Sequence, residues 1–195
     1  MNPYKNPDWN LNPTISAYLR SFFCILDEMV CRMTQAELSD SISYNFIVQM
    51  IPHHRAAIEM SQNILKYTAD MRLRGIASQI ISEQTQSIQN MLQIVCCCKN
   101  CQNSSQDICT YQARVNQILP VMFSGMRNAC STNCINANFI REMIPHHEGA
   151  VQMSENALNY PICQELRPIL QAIIVSQKRG IAQMQQLLQC MNCNA

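Results

Sequence analysis

Residues 50–54 read MIPHH, and residues 143–147 read MIPHH again; these two stretches hold all four histidines of the 195-residue chain. A repeated pentapeptide in so short a sequence points to duplication. Sliding the chain against itself by 93 positions aligns residues 45–93 with 138–186 without a gap, and nearly half of the pairs are identical. The match extends upstream, where Met29 and Met33 fall on Met122 and Met126. The organisation expected is an N-terminal arm over 1–13, a first repeat unit over 14–95, a linker over 96–109 and a second unit over 110–195.

Inside each unit the apolar residues recur at intervals of three and four: Phe46, Ile47, Met50 and Ile51, then Ile76, Ile80, Ile81, Ile88, Met91 and Leu92. That spacing is helical rather than alternating. Glycine is scarce, at four residues, and no Asn-Gly or Asp-Gly hairpin signal occurs. The chain therefore reads as all-α, with three helices per unit: 14–33, 41–67 and 71–95, then 111–128, 134–159 and 163–190. Thr14, following Pro13, is the expected cap of the first.

Composition narrows the function. A hydrophobic fraction of 48 % supports a packed core. Charged residues make up only 14 %, against about 25 % in typical domains, and the net charge is +1. No basic face is therefore offered to nucleic acid or anionic lipid. Asn, Gln and Ser supply the polarity instead, and a surface with so little net charge favours self-association. No apolar run approaches the roughly 18–20 residues that span a bilayer, and the N-terminal stretch reads as no secretory signal.

The proline in each MIPHH removes one backbone donor, leaving the carbonyl of Val48 or Arg141 without its partner, so the helix either kinks or begins there. A helix beginning at Pro52 would put His53 and His54 in its first turn, where the dipole disfavours imidazolium. Neutral imidazole is the form that binds metals. At the helical angle, His53, Ala57, Met60 and Ile64 form one stripe, with Met50 and His54 beside it. Met29 and Met33 share a face of the preceding helix. Ten of the 13 methionines form five matched pairs under the shift (29 with 122, 33 with 126, 50 with 143, 60 with 153, 91 with 184), whereas among cysteines only Cys97 and Cys190 match. The methionines thus belong to the ancestral unit. Core filling alone accounts for a methionine stripe, but thioethers in the company of paired histidines suit Cu(I) or Ag(I).

MIPHHRAAIEM and MIPHHEGAVQM, each followed by a helix carrying Gln84, Ile88, Met91 or Gln177, Ile181, Met184, resemble the helical family known as domain of unknown function family 305. The resemblance covers both units. It implies a ferritin-like antiparallel helical bundle, often in tandem copies, and copper binding through Met and His. Carried onto this chain, the implied ligands are Met50, His53, His54 and Met60, then Met143, His146, His147 and Met153, with Met29, Met33, Met122 and Met126 as further sulfur donors.

Twelve cysteines without a recognisable signal peptide need a role of their own. Cys98 and Cys101 form one CxxC pair and Cys190 and Cys193 another, with Cys96, Cys97 and Cys109 close to the first. Two such pairs meeting in space would make a zinc site; otherwise these residues are disulfides or free thiols. Cys24 with Cys31, Cys130 with Cys134, and Cys163 have uninformative spacing. A di-iron carboxylate centre would need Glu-x-x-His pairs, and Glu142 stands four before His146. The zinc-protease pattern fails after His147-Glu148, and no catalysis is expected. The leading expectation is a non-enzymatic Cu(I) or Ag(I) binding protein that sequesters or buffers the ion. The competing one is a cysteine-cross-linked structural protein of a spore coat or similar assembly, so the expected address is the cytoplasm or such a coat.

Overall fold

The computed structural model describes residues 11–192 apart from Cys130. Most of the expected N-terminal arm, Cys130 and Cys193 therefore lie outside the described residues. The chain forms six helices: α1 (Pro13–Thr34), α2 (Ile42–Leu65), α3 (Met71–Lys99), α4 (Ser105–Arg127), α5 (Ile135–Leu158) and α6 (Leu166–Asn192). Among the described residues there is no strand, and the protein is an all-α bundle. No described helix is long and apolar enough to cross a membrane.

Helix starts follow from side chains that accept otherwise orphaned N–H groups. Asn12 caps α1 by accepting from Thr14, so the cap precedes Thr14 and Pro13 takes the first helical turn. Ser41, Asp70 and Ser104 cap α2, α3 and α4 in the same way. Three boundaries differ by more than two residues from the sequence reading. Helix α3 continues through the cysteine run to Lys99, and α4 starts at Ser105, so the expected linker contracts to a turn of residues 100–104. Nothing in Cys-Cys-Cys-Lys breaks a helix, Cys98 is buried, and Ser104 exchanges hydrogen bonds with Asp107. Helix α6 starts at Leu166 rather than 163, because residues 163–165 form a turn closed by the Leu166 N–H on the Cys163 carbonyl.

Packing repeats with the sequence. Helix α2 lies between α1 and α3, and α5 between α4 and α6; the two triplets meet through α2 on α5, α3 on α6 and, more lightly, α1 on α4. Arg72 of α3 lies beside Cys190 of α6, whereas Asn90 lies beside Ile169, so α3 and α6 run antiparallel. The duplication survives at the level of single bonds. Asn63 Nδ2 donates to the Tyr18 carbonyl at 3.1 Å, and Asn156 Nδ2 to the Tyr111 carbonyl at 3.2 Å. Tyr18 meets Tyr67 edge-on at 6.0 Å, and Tyr111 meets Tyr160 at 5.9 Å. Asn45 closes a turn on Ser39, as Asn138 does on Thr132.

Candidate metal centre

Both MIPHH prolines sit inside continuous helices, Pro52 in α2 and Pro145 in α5. The alternative in which the helix begins at proline is therefore excluded, and with it the first-turn position of the histidines. An interior proline costs about 3 kcal/mol, which is offset here by burying most of both central helices, with only the stripes Arg55, Glu59, Gln62 on α2 and Glu148, Gln152, Glu155 on α5 left exposed. His53, His54, His146 and His147 are essentially inaccessible to solvent. Their neutrality comes from that burial rather than from a helix dipole. Burial, and after it the neighbouring His146, drives His54 down to about 3. Burial takes His146 to about 4, and holds His53 and His147 well below the ordinary histidine range.

The two repeats meet at these rings. His53 and His146 stack with centroids 3.6 Å apart. His53 Nε2 lies 3.1 Å from the His146 carbonyl, and His146 Nε2 lies 3.1 Å from the His53 carbonyl. A carbonyl only accepts, so both Nε2 atoms carry the proton and both Nδ1 atoms carry the lone pair. Neither Nδ1 has a hydrogen-bond partner. His54 Nε2 contacts Ser87 Oγ of α3 at 3.1 Å, and the Nδ1 atoms of His54 and His147 are also buried without a well-formed hydrogen bond, although the His147 ring lies against the Met143 carbonyl. Four imidazole nitrogens are thus stranded in the middle of the bundle. A buried polar atom left unsatisfied costs about 1–3 kcal/mol, and a ring anchored through one nitrogen with the other free is how metal-binding histidines are usually held.

The methionines divide into two groups. Met50, Met60, Met143 and Met153 are buried on the histidine-bearing helices, with Met60 on the His53 stripe and Met50 one turn before His54. Met91 of α3 is buried one turn beyond Ser87, the partner of His54, and Met184 one turn beyond Gly180, which faces His147. The upstream methionines are also buried, but Met29 packs beside Pro52 and Ala56, on the side of α2 turned away from His54. Met122 presses its sulfur against Gly149 of α5. Met33 and Met126 lie in the core beyond them, and Gln49 Nε2 donates to the Met33 carbonyl at 3.3 Å.

Residues that the sequence reading named but did not count among the ligands complete the surroundings. Gln84 and Gln177 are buried with amide atoms unpartnered. Both line a groove of about 630 Å³ between α3 and α6 that reaches His54, and a smaller recess beside them reaches His147. Their match under the 93-residue shift was the available signal. Glu142 is a second surprise, because it is buried and accepts a 2.6 Å hydrogen bond from the Tyr18 hydroxyl. Burial raises its carboxyl to about 8, although the Tyr18 bond pulls the other way.

Cys190 does not meet the Cys98–Cys101 pair. Cys190 lies at the α3 N-terminal end beside Arg72, whereas Cys98 is 26 residues further along the same helix, roughly 40 Å away at 1.5 Å per residue. The antiparallel run of α3 and α6 separates them, so Cys190 does not share a zinc site with Cys98 and Cys101; Cys193 lies outside the described residues. Cys96, Cys97 and Cys109 are exposed, Cys101 is half-buried, and none of the described cysteines forms a disulfide.

A family model described as Domain of unknown function (DUF305) matches residues 26–95 and 43–188. The chain belongs to this family. The two matched segments overlap and together span both repeats, as the resemblance of the MIPHH motifs implied. No curated protein and no solved structure matches the chain significantly.

Proposed function

We propose that this DUF305 protein is a non-enzymatic binder of a soft monovalent cation, Cu(I) or Ag(I), that sequesters the ion in the histidine layer between its two repeats. The single observation that carries the reading is the set of four buried, unpartnered imidazole Nδ1 atoms, two of them on rings whose Nε2–H groups are fixed by backbone carbonyls. Neutral imidazole with neighbouring thioethers is a donor set that prefers Cu(I) to harder ions. Met50, Met60 and Met91, with Met143, Met153 and Met184, buried on the histidine-bearing helices or one turn from the residues that face the rings, are the candidates for sulfur ligation. The α3–α6 groove offers the ion an approach to His54, and enclosure of the rings keeps out oxygen and water.

The test is an anaerobic Cu(I) titration against a chromophoric chelator, on reduced protein and again after alkylation of the thiols. Retention of about two equivalents after alkylation, one per repeat, is expected. Loss of all copper with the thiols would contradict the reading. A second reading, a cross-linked structural protein, is favoured by the exposed thiols Cys24, Cys31, Cys96, Cys109 and Cys134, which stand on the surface outside any disulfide. It predicts covalent multimers under oxidising conditions that dissolve on reduction, whereas a monomer that persists without reductant would remove it.

A further inference from the structure

The end of the bundle where α3 stops holds a cluster that the histidine layer does not use. The sulfurs of Cys97 and Cys163 and a carboxylate oxygen of Glu165 lie within 4.8 Å of one another. Cys163 Sγ is 2.9 Å from Glu165 Oε2. The thiols of Cys98 and Cys101 also lie against Cys163. Two of the residues, Cys98 and Cys163, are buried. Four sulfurs and one carboxylate from α3, its following turn and the α5–α6 connection thus converge, although 62 residues of chain separate Cys101 from Cys163.

We propose that Cys97, Cys98, Cys101 and Cys163, with Glu165 at the rim, form a tetrahedral thiolate site for Zn(II), separate from the histidine layer. Tetrahedral zinc with Zn–S near 2.3 Å needs donors about 3.8 Å apart, and Cys97, Cys163 and Glu165 already lie within 4.8 Å of one another, with Cys98 and Cys101 against Cys163 to complete the set. A carboxylate among the donors favours zinc over Cu(I). Each ligating thiol gives up its proton to solvent as the ion enters, leaving thiolates on the metal.

The backbone around the cluster is already tied down. Ser41 Oγ donates to the Cys98 carbonyl at 2.6 Å, and the Cys163 N–H donates to Ser43 Oγ at 2.8 Å. Asn103 joins the two loops, donating to the Pro161 carbonyl at 2.6 Å while accepting from the Ile42 N–H at 2.9 Å. Cys98 stands 11 residues along α3 from Ser87, about 16 Å from the His54 contact. The site therefore stands or falls independently of copper binding by the histidines.

The experiment is an anaerobic titration of the reduced, metal-free full chain with Co(II) as spectroscopic probe. Thiolate-to-cobalt charge-transfer absorption and intense visible bands are expected to saturate near one equivalent and to disappear when Zn(II) is added. Cys163→Asp introduces the residue found at the equivalent position 70, and Cys101→Ser changes one half-buried atom; both should lower affinity at least tenfold with helix content unchanged. Cys190→Ser and Cys96→Ser should leave the spectrum as it is. Wild-type protein without tetrahedral thiolate bands, bands that persist in Cys163→Asp, or a disulfide from Cys163 to an α3 cysteine in freshly isolated protein would each overturn the proposal.

Discussion

Position 70 in the first repeat and position 163 in the second are equivalent, yet one holds aspartate and the other cysteine. Asp70 caps α3 and pairs with Arg72; at the other end of the bundle, Cys163 and Glu165 face Cys97, the counterpart of Cys190. The same backbone slot closes a helix in one unit and gathers sulfur in the other. The two MIPHH stretches in the middle of the molecule show no such divergence. MIPHH is identical in both copies, and His53 and His146 make the same two contacts with one another. The interior is fixed by mutual use, because His53 and His146 each bond the other's backbone carbonyl, whereas the ends, which contact different loops, were free to diverge.

This internal pairing supplies the controls for breaking the comparison. The largest effect expected is acid destabilisation of the metal-free protein. All four histidines have folded values below the ordinary 6.5, so between about 4 and 6.5 the unfolded chain binds more protons than the native one. Stability is then present above 6.5 and is lost as pH falls, by several kcal/mol on the order of 1.4 kcal/mol per histidine per pH unit. Chemical denaturation followed from pH 7 to 5 measures it; a flat profile would mean that the rings are not buried neutral.

Glu142 against Gln49 is the next contrast. A carboxyl raised from 4.5 to about 8 makes the native state hold its proton more tightly, so stability falls as pH rises between those values. Glu142→Gln should abolish that component, about 1.4 kcal/mol per pH unit, and leave stability near pH 5 almost unchanged. The variant's denaturation midpoint across pH 5 to 8 would decide the matter, with an unaltered slope counting against a buried proton.

Gly149 against Ala56 tests the packing around the methionines. A Cβ at 149 would sit 2.1 Å from the Met122 sulfur, so Gly149→Ala should cost about 1–3 kcal/mol despite its better helix propensity. Calorimetry showing stabilisation instead would mean that Met122 moves freely. The smallest expected change concerns Cys134 against Ser41. Ser41 caps α2, whereas Cys134 makes no side-chain cap bond on α5. Cys134→Ser should gain about 1 kcal/mol, and a thermal melt unchanged within error would show that the cap is already replaced by solvent.

The six helices were legible because the apolar residues recur at three and four, and because Ser, Asp and Asn precede four of the starts. The end of α3 was not, since a cysteine run looks like a linker by composition although no residue in it opposes helix. The stripe of His53 and Met60 was legible on its own helix. What lay opposite was not, because periodicity assigns a face to one helix but says nothing about which helix packs there. Hence the stacking of His53 on His146 had no sequence signal beyond the repeat itself. The two CxxC pairs looked equivalent until the antiparallel course of α3 and α6 put Cys190 and Cys98 at opposite ends, and Cys163, with no local motif, emerged only from the loop that Asn103 holds.

The central claim is that the histidine Nδ1 lone pairs are held neutral and empty-handed for a soft cation. Histidine-ring ¹⁵N NMR of alkylated protein, before and after anaerobic addition of Cu(I), tests it most directly. The account predicts Nε2–H tautomers for His53 and His146 in both states, with the Nδ1 resonances shifting on loading. Nδ1–H tautomers in the free protein, or Nδ1 signals unmoved by copper, would contradict it.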